Sequence, residues 1–273
     1  MAEPIAITDH DDPRLEEYKA LTDASLRQQM EGDVVCIAEG ALVVARLLRS
    51  RYPMRSALIA EDKWRRLGAL GGALVADPAP VYLVPFEVMY RVTGFPIHRG
   101  VLASATRLVQ PRPEALWREA TCLAVLEGIN DHENLGSIFR SAAALGVDGV
   151  LLDPTCCDPL YRRSIRVSMG EVFGVPFTRL EPWPDAIAHV RAAGFTVIAL
   201  SPHRGATSIA SLERPKRTAI LLGAEGPGLT REALAAADLR ARIPMAPSVD
   251  SLGVANAAAI AFHHLGGRAD TAR

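Results

Sequence analysis

Short runs of adjacent apolar residues alternate along the chain with segments whose apolar positions recur at helical spacing, the pattern of strands joined by helices. In the first hundred residues VVCIA (34–38), SALIA (56–60) and VYLV (81–84) read as strands, with a fourth over 100–103. Leu42, Val43, Ala45 and Leu47 mark a helix after Glu39-Gly40, and DKWRRLGAL (62–70) marks a second. A third covers 85–94, opened by Pro85 and stopped by Gly94. Over 104–120 the periodicity is lost and Pro111 and Pro113 interrupt the chain, which places a linker there. Beyond it CLAVL (122–126), GVLL (149–152), TVIAL (196–200), AILLG (219–223) and LRARI (239–243) predict further strands, and VANAAAIAFHHL (254–265) a closing apolar helix. The pattern predicts an α/β protein with a first domain over 1–106, a linker over 107–119 and a second domain over 120–273.

Length agrees with this division, since 273 residues accommodate two domains of roughly 100 to 200 residues each. Lys and Arg number 30 against 31 Asp and Glu, for a net charge of -1. That balance excludes a polycationic coat protein but leaves room for a local basic face. Lysine stands only at positions 19, 63 and 216, so the positive charge is almost all guanidinium, whose forked donors match phosphate. MAEPIAITDHDDPRLEEY lacks the cationic start and apolar stretch of a secretory signal, and no apolar run is long enough to span a bilayer. A cytoplasmic protein without membrane contact is expected. Cys36, Cys122, Cys156 and Cys157 fit neither a C-x-x-C metal pair nor a disulfide framework, so packing roles and no metal are expected.

Three clusters could carry chemistry. In EGINDHENLGSIFRSAAALG (127–146) Asn134 sits where an N-cap belongs, Ile138, Phe139, Ala142 and Leu145 give a helix, and Gly146 stops it. Arg140 then falls early in a helix that follows a strand, where open α/β sheets place ligand sites, although on this segment alone an exposed helix arginine beside an ordinary cap explains it better. LLGAEGPGL (221–229) is a glycine-rich turn holding Glu225, and its spacing matches neither a dinucleotide fingerprint nor a Walker loop. Either close approach to a ligand or a plain structural turn accounts for it. IPMAPSVDSLGVANAAAIAF (243–262) is a loop of small and apolar residues entering a buried helix. It suits a flat heteroaromatic group, or is simply a loop capped by Asp250 or Ser251.

Taken in order, NLGSIFRSAAALG, LLGAEGPGL and IPMAPSVDSLGVA resemble the three motifs of the SpoU (TrmH) family of RNA ribose 2′-O-methyltransferases, within the SPOUT class. The resemblance spans about residues 120–265, including RRSIRVSMGEVFGVPF (162–177). IAEGALVVARLL (37–48) and HRGVLAS (98–104) resemble the small ribosomal-protein-like domain that precedes the catalytic domain in many members. The resemblance implies a C-terminal SPOUT domain with a mostly parallel sheet and a deep trefoil knot, S-adenosyl-L-methionine as methyl donor, and a homodimer whose site draws on both subunits. Position by position, it assigns Asn134, Arg140, Glu225 and Ser251 to catalysis or substrate. It assigns Leu200, Leu222, Gly223, Glu225, Gly226, Ile243, Met245 and Leu252 to the cofactor pocket. One departure stands out: where the family reads Ser-Leu-Asn-Val-Ser, this chain has Ser251-Leu252-Gly253-Val254-Ala255. Asn256, three residues after Gly253, could return the missing amide to the same face.

Methyl transfer to a ribose hydroxyl needs alignment, a proton acceptor and a dry pocket, but no metal. A guanidinium holds its proton too tightly to be a simple base, so Arg140 is expected to stabilise charge, meeting a phosphate or the developing alkoxide. The 2′-hydroxyl makes RNA rather than DNA the substrate. Arg162, Arg163 and Arg166 at helical spacing, with Arg140, are the expected RNA contacts; Arg46, Arg49 and Arg51 form a second basic cluster. The reading is an RNA 2′-O-methyltransferase, with large-subunit (23S) rRNA favoured over tRNA because of the N-terminal domain. Alternatives are a tRNA methyltransferase, an RNA-binding SPOUT protein whose catalysis is weakened or lost through Gly253 and Ala255, and a nucleotide-dependent enzyme built on the GAEGPG turn.

Overall fold

Strands that are buried on both faces read as unbroken apolar runs, and those runs form the centres of two sheets in a computed structural model that describes residues 3–19, 21, 34–97 and 100–266. The chain divides into two compact units, residues 1–109 with 160–174, and residues 110–159 with 175–273. His98 and Arg99 of the HRGVLAS segment lie outside the described residues. Among the described residues no helix is long and apolar enough to cross a membrane.

In the first unit β1 (Ile5–Ala6), β2 (Val35–Glu39), β3 (Met54–Ala60), β4 (Val81–Val84) and β5 (Val101–Thr106) form a sheet in the order β1-β4-β3-β5-β2. β1, β4 and β3 run parallel, and β5 is antiparallel to both of its neighbours. Leu15, Tyr18, Ile37, Leu58, Met89 and Leu102 pack in its core. Tyr18 is fully buried, and its hydroxyl donates to the Ser56 carbonyl at 2.8 Å. The helix expected over 62–70 is broken. Glu61–Trp64 and Ala69–Ala76 are separate helices, because Gly68 takes a left-handed φ of 53° that a continuous helix does not permit.

Residues 160–174, read from the sequence as part of the second domain, belong to the first unit. Their helix, Arg162–Val167, packs on β2. Arg162 there donates to Glu39 Oε2 at 2.5 Å and to the Leu21 carbonyl at 3.3 Å, and its guanidinium lies 5.0 Å from the Phe95 ring centroid. An arginine held by a carboxylate, a carbonyl and an aromatic face is a packing element.

The second unit is a seven-stranded sheet in which every neighbouring pair is parallel. Its strands are β6 (Cys122–Glu127), β7 (Gly149–Leu152), β8 (Phe177–Arg179), β9 (Thr196–Leu200), β10 (Thr207–Ser208), β11 (Thr218–Gly223) and β12 (Leu239–Arg242), in the order β10-β12-β9-β11-β6-β7-β8. β8 and β10 escaped the sequence pattern because they are edge strands of three and two residues, too short to show a period. The expected linker also carries structure: Pro113–Trp117 is a helix whose Leu116 and Trp117 join the core of this unit. Burial raises the thiols of Cys156 and Cys157 above the ordinary range, the latter to about 12, and nearby carboxylates add to the effect. Both thiols therefore stay protonated and unreactive at neutral pH.

Candidate active site

Open parallel sheets bind ligands beyond the carboxyl ends of their strands, where successive connections leave in opposite directions. After β6 the chain moves outward through β7 to β8, then returns to the far side of β11 to form β9. The loops leaving β9, β11 and β12 enclose a cleft of about 230 Å³. Leu200, Leu222, Gly223, Glu225, Gly226, Ile243, Met245 and Leu252, the positions expected around a cofactor, all line it, and Ser251 stands beside them. Sequence reasoning missed Ser201, Pro202, Ala224, Gly228, Gly253, Val254 and Ala257, which complete the wall.

The glycine-rich segment is shaped by a close backbone approach. Gly228 N–H donates to the Ala224 carbonyl at 3.0 Å, folding 224–228 onto itself. A Cβ on Gly223 would collide with the Gly228 and Leu229 backbone, so no side chain fits there. Glu127, at the end of β6 and opposite Gly223 in the sheet register, fixes the far end of this loop. Its Oε2 accepts from Thr230 N–H at 2.8 Å, while Oε1 accepts from the Thr230 hydroxyl and from Trp183 Nε1, each at 2.7 Å. Glu127 is only 5% exposed, yet an acidic residue at a strand end carries no sequence signal that separates an anchor from a surface charge. Only the tertiary partners identify it.

Among the described residues Glu225 is the one charged side chain lining the cleft. Its Oε1 accepts from Val254 N–H at 3.3 Å, at the start of the helix Val254–Leu265. Capping by Asp250 or Ser251 does not occur: Gly253 occupies the N-cap without a side-chain bond, and the acceptor arrives from another loop. A Cβ at Gly253 would lie 3.2 Å from Glu225 Oε1 and 3.9 Å from Asn256 Nδ2. The carboxylate and the Asn256 amide therefore flank the place where the missing side chain would begin.

Asn134 and Arg140 do not line this cleft within the chain. They stand on the helix His132–Ala144, which packs against Val254–Leu265. Asn134 is not the N-cap; Asp131 is, its Oδ1 accepting from Glu133 N–H at 2.6 Å and Asn134 N–H at 3.1 Å. The carboxylate displaces the amide from that role because it reaches two amides of the first turn with a full charge. Arg140 is exposed, and among the described residues no hydrogen bond or ion pair holds its guanidinium. Of the three arginines expected to contact RNA from 162–166, Arg162 is committed to Glu39, Arg166 lies 3.9 Å from the same carboxylate, and Arg163 is exposed.

Residues 121–263, which hold every wall of this cleft, match the SpoU rRNA Methylase family. The chain belongs to that family. It is similar to an uncharacterized tRNA/rRNA methyltransferase of Mycobacterium bovis, 46% identical across 95% of this chain and 93% of the relative. Among solved structures it resembles an AdoMet-bound rRNA methyltransferase from Sinorhizobium meliloti, with a TM-score of 0.77 at 27% identity over 95% of this chain and 96% of the other. It also resembles an RNA 2′-O ribose methyltransferase, with a TM-score of 0.75 at 25% identity over 95% and 97% of the two chains. The expected SpoU-type α/β fold with its parallel sheet is met, and the chain is a methyltransferase of that family.

Proposed function

We propose that the protein is an S-adenosylmethionine-dependent RNA ribose 2′-O-methyltransferase acting as a cytoplasmic homodimer, with 23S rRNA favoured over tRNA. The observation that carries this reading is the cleft at the carboxyl ends of β9, β11 and β12, walled by backbone and small or apolar side chains and bearing one negative charge. Such walls fit adenosyl recognition: backbone groups of the 223–228 and 243–253 loops can meet the base edge, while Leu200, Leu222 and Ile243 cover its faces. Glu225 is the charge a sulfonium tolerates at close range. The cofactor, when bound, supplies an electrophilic methyl group.

The rest of the chemistry belongs to the chain. The glycine-rich loop, held by the Gly228 N–H to Ala224 carbonyl bond, presents a fixed backbone to the cleft. Arg140, with a free guanidinium, would hold an RNA phosphate or stabilise the alkoxide formed as the 2′-hydroxyl loses its proton. Because Arg140 and Asn134 do not line the cleft of their own chain, the reading takes them from a second copy, which makes the dimer part of the site. The knotted crossing that the family resemblance implies belongs to the same reading. So do an RNA-binding role for residues 1–106 and RNA contacts at Arg163 and Arg166 of the 160–174 segment that joins the same unit; Arg162 is left out because Glu39 holds it.

Calorimetric titration with S-adenosylmethionine, followed by a tritium-methyl assay on unmodified rRNA and tRNA, tests the proposal. Tight cofactor binding and label incorporated at ribose, mapped by mass spectrometry, are expected. A second reading, an RNA-binding protein with lost catalysis, is favoured by the absent amide at Gly253, and cofactor binding without transfer to either RNA would establish it.

A further inference from the structure

A second cleft of about 680 Å³ adjoins the first and shares Ser201, Gly226 and Met245 with it. Its character is different. Arg204 and Arg242 line it with His203 and a single carboxylate, Asp250, whereas the first cleft contains no cationic side chain. Arg242 closes β12 opposite Ser208 of β10, one residue beyond the last pair of β12 with β9, Ala241 and Leu200. Its Nε is buried and among the described residues has no hydrogen-bond partner. A buried donor without an acceptor is costly, and native proteins rarely leave one unless something else supplies the acceptor. Arg204 rides on a loop with defined internal bonds: Gly205 N–H donates to His203 Nδ1 at 3.1 Å and Ala206 N–H to the His203 carbonyl at 3.0 Å. Arg204 itself is exposed, and among the described residues no ion pair engages it.

We propose that this second cleft seats a phosphodiester of the RNA substrate next to the nucleotide being methylated, with Arg242 and Arg204 as its oxyanion ligands. The inference rests on the RNA methyltransferase reading and deepens it. Guanidinium forks match phosphate in two-point geometry, and an Nε lacking an acceptor is one half of such a fork. The space, about 680 Å³, lies within the roughly 300–1,000 Å³ of ordinary ligand pockets. A bound cofactor would bring one competing anionic group, its methionyl carboxylate, and the test below separates the two.

The test compares Arg242→Gln, Arg204→Ala and the double variant with the wild-type protein. Binding of a methyl-free 23S rRNA transcript is measured across a salt series, and affinities for S-adenosylmethionine and for 5′-methylthioadenosine, which lacks the amino-acid portion, are measured alongside. Each substitution is expected to lower the slope of log K against log salt by about 1, with cofactor affinity unchanged. Unchanged slopes in variants of a protein that does methylate RNA overturn the proposal. So do weaker S-adenosylmethionine binding with 5′-methylthioadenosine unaffected and slopes unchanged, which would assign the cleft to the carboxylate. A wild-type protein that transfers no methyl group overturns the reading beneath it instead. Arg204 stands on an exposed loop, so its variant keeps the test valid if Arg242→Gln does not fold.

Discussion

Glu225 and Val254 join two loops that are distant in sequence: Glu225 Oε1 accepts the Val254 N–H at 3.3 Å, so the glycine-rich turn caps the helix that begins after the third motif. One carboxylate thus serves the architecture and lines the cleft. The two roles separate by substitution. Glu225→Gln keeps an Oε1 acceptor and should unfold like the wild type, whereas Glu225→Ala should lose about 0.5–1 kcal/mol, as for a lost cap. Both should transfer methyl poorly, since both remove the charge. Thermal unfolding beside a methyl-transfer assay checks this, and an alanine variant as stable as wild type would remove the capping role.

Asn256 is expected to stand in for the amide absent at Gly253, because its Nδ2 lies 3.9 Å from the point where a side chain at 253 would start. Asn256→Ala should lower both cofactor affinity and turnover, read by calorimetry and a tritium assay. If both survive intact, the compensation idea fails.

Gly223→Ala should damage the cleft rather than the sheet. The added methyl would meet the Gly228 and Leu229 backbone, which cannot swing aside as a side chain can. Overpacking of this kind costs about 1–3 kcal/mol. The expected result is a lower denaturant midpoint together with lost S-adenosylmethionine binding; normal binding would show that the loop opens more easily than its contacts imply.

Arg140→Ala is expected to abolish transfer while shifting stability by less than about 0.5 kcal/mol, because the side chain is exposed and holds no partner among the described residues. Ribose methyls mapped in rRNA from cells lacking the gene should not be restored by this variant. Full restoration would dismiss Arg140 from the chemistry.

Arg162→Ala should behave in the opposite way. Its ion pair with Glu39 is largely covered, with side-chain exposures of 17% and 10%. Removing one partner leaves a carboxylate poorly solvated, at a cost of about 1–3 kcal/mol, between the values for exposed and for buried pairs. The denaturation midpoint should fall. A variant of unchanged stability but weaker RNA binding would restore the surface role first expected of it.

How far the sequence reached differs from element to element. VYLV, GVLL, TVIAL and the helix 254–265 stand where their patterns put them, because burial on both faces or on one helical stripe leaves an apolar trace. The trace fades at edges and breaks: β8 and β10 are too short to show it, and Gly68 divides a helix whose composition looked continuous. Within the site, the eight positions expected around a cofactor line one cleft, while seven further wall residues went unread. Glu127, Arg204 and Arg242 were not legible either, since nothing about a lone charge in a sequence says whether it is anchored, solvated or unpaired.

The linear pattern by itself determined the α/β class, and the second and third motifs marked two of the loops that wall the cleft. Three-dimensional packing decided which distant residues meet: Glu225 at Val254, and Arg162 on Glu39 in the first unit. The reason is range. Period and propensity are properties of neighbouring residues, whereas capping by another loop, pairing of charges and the shape of a cleft depend on contacts between segments tens to more than a hundred residues apart, which only the folded chain brings within bonding distance.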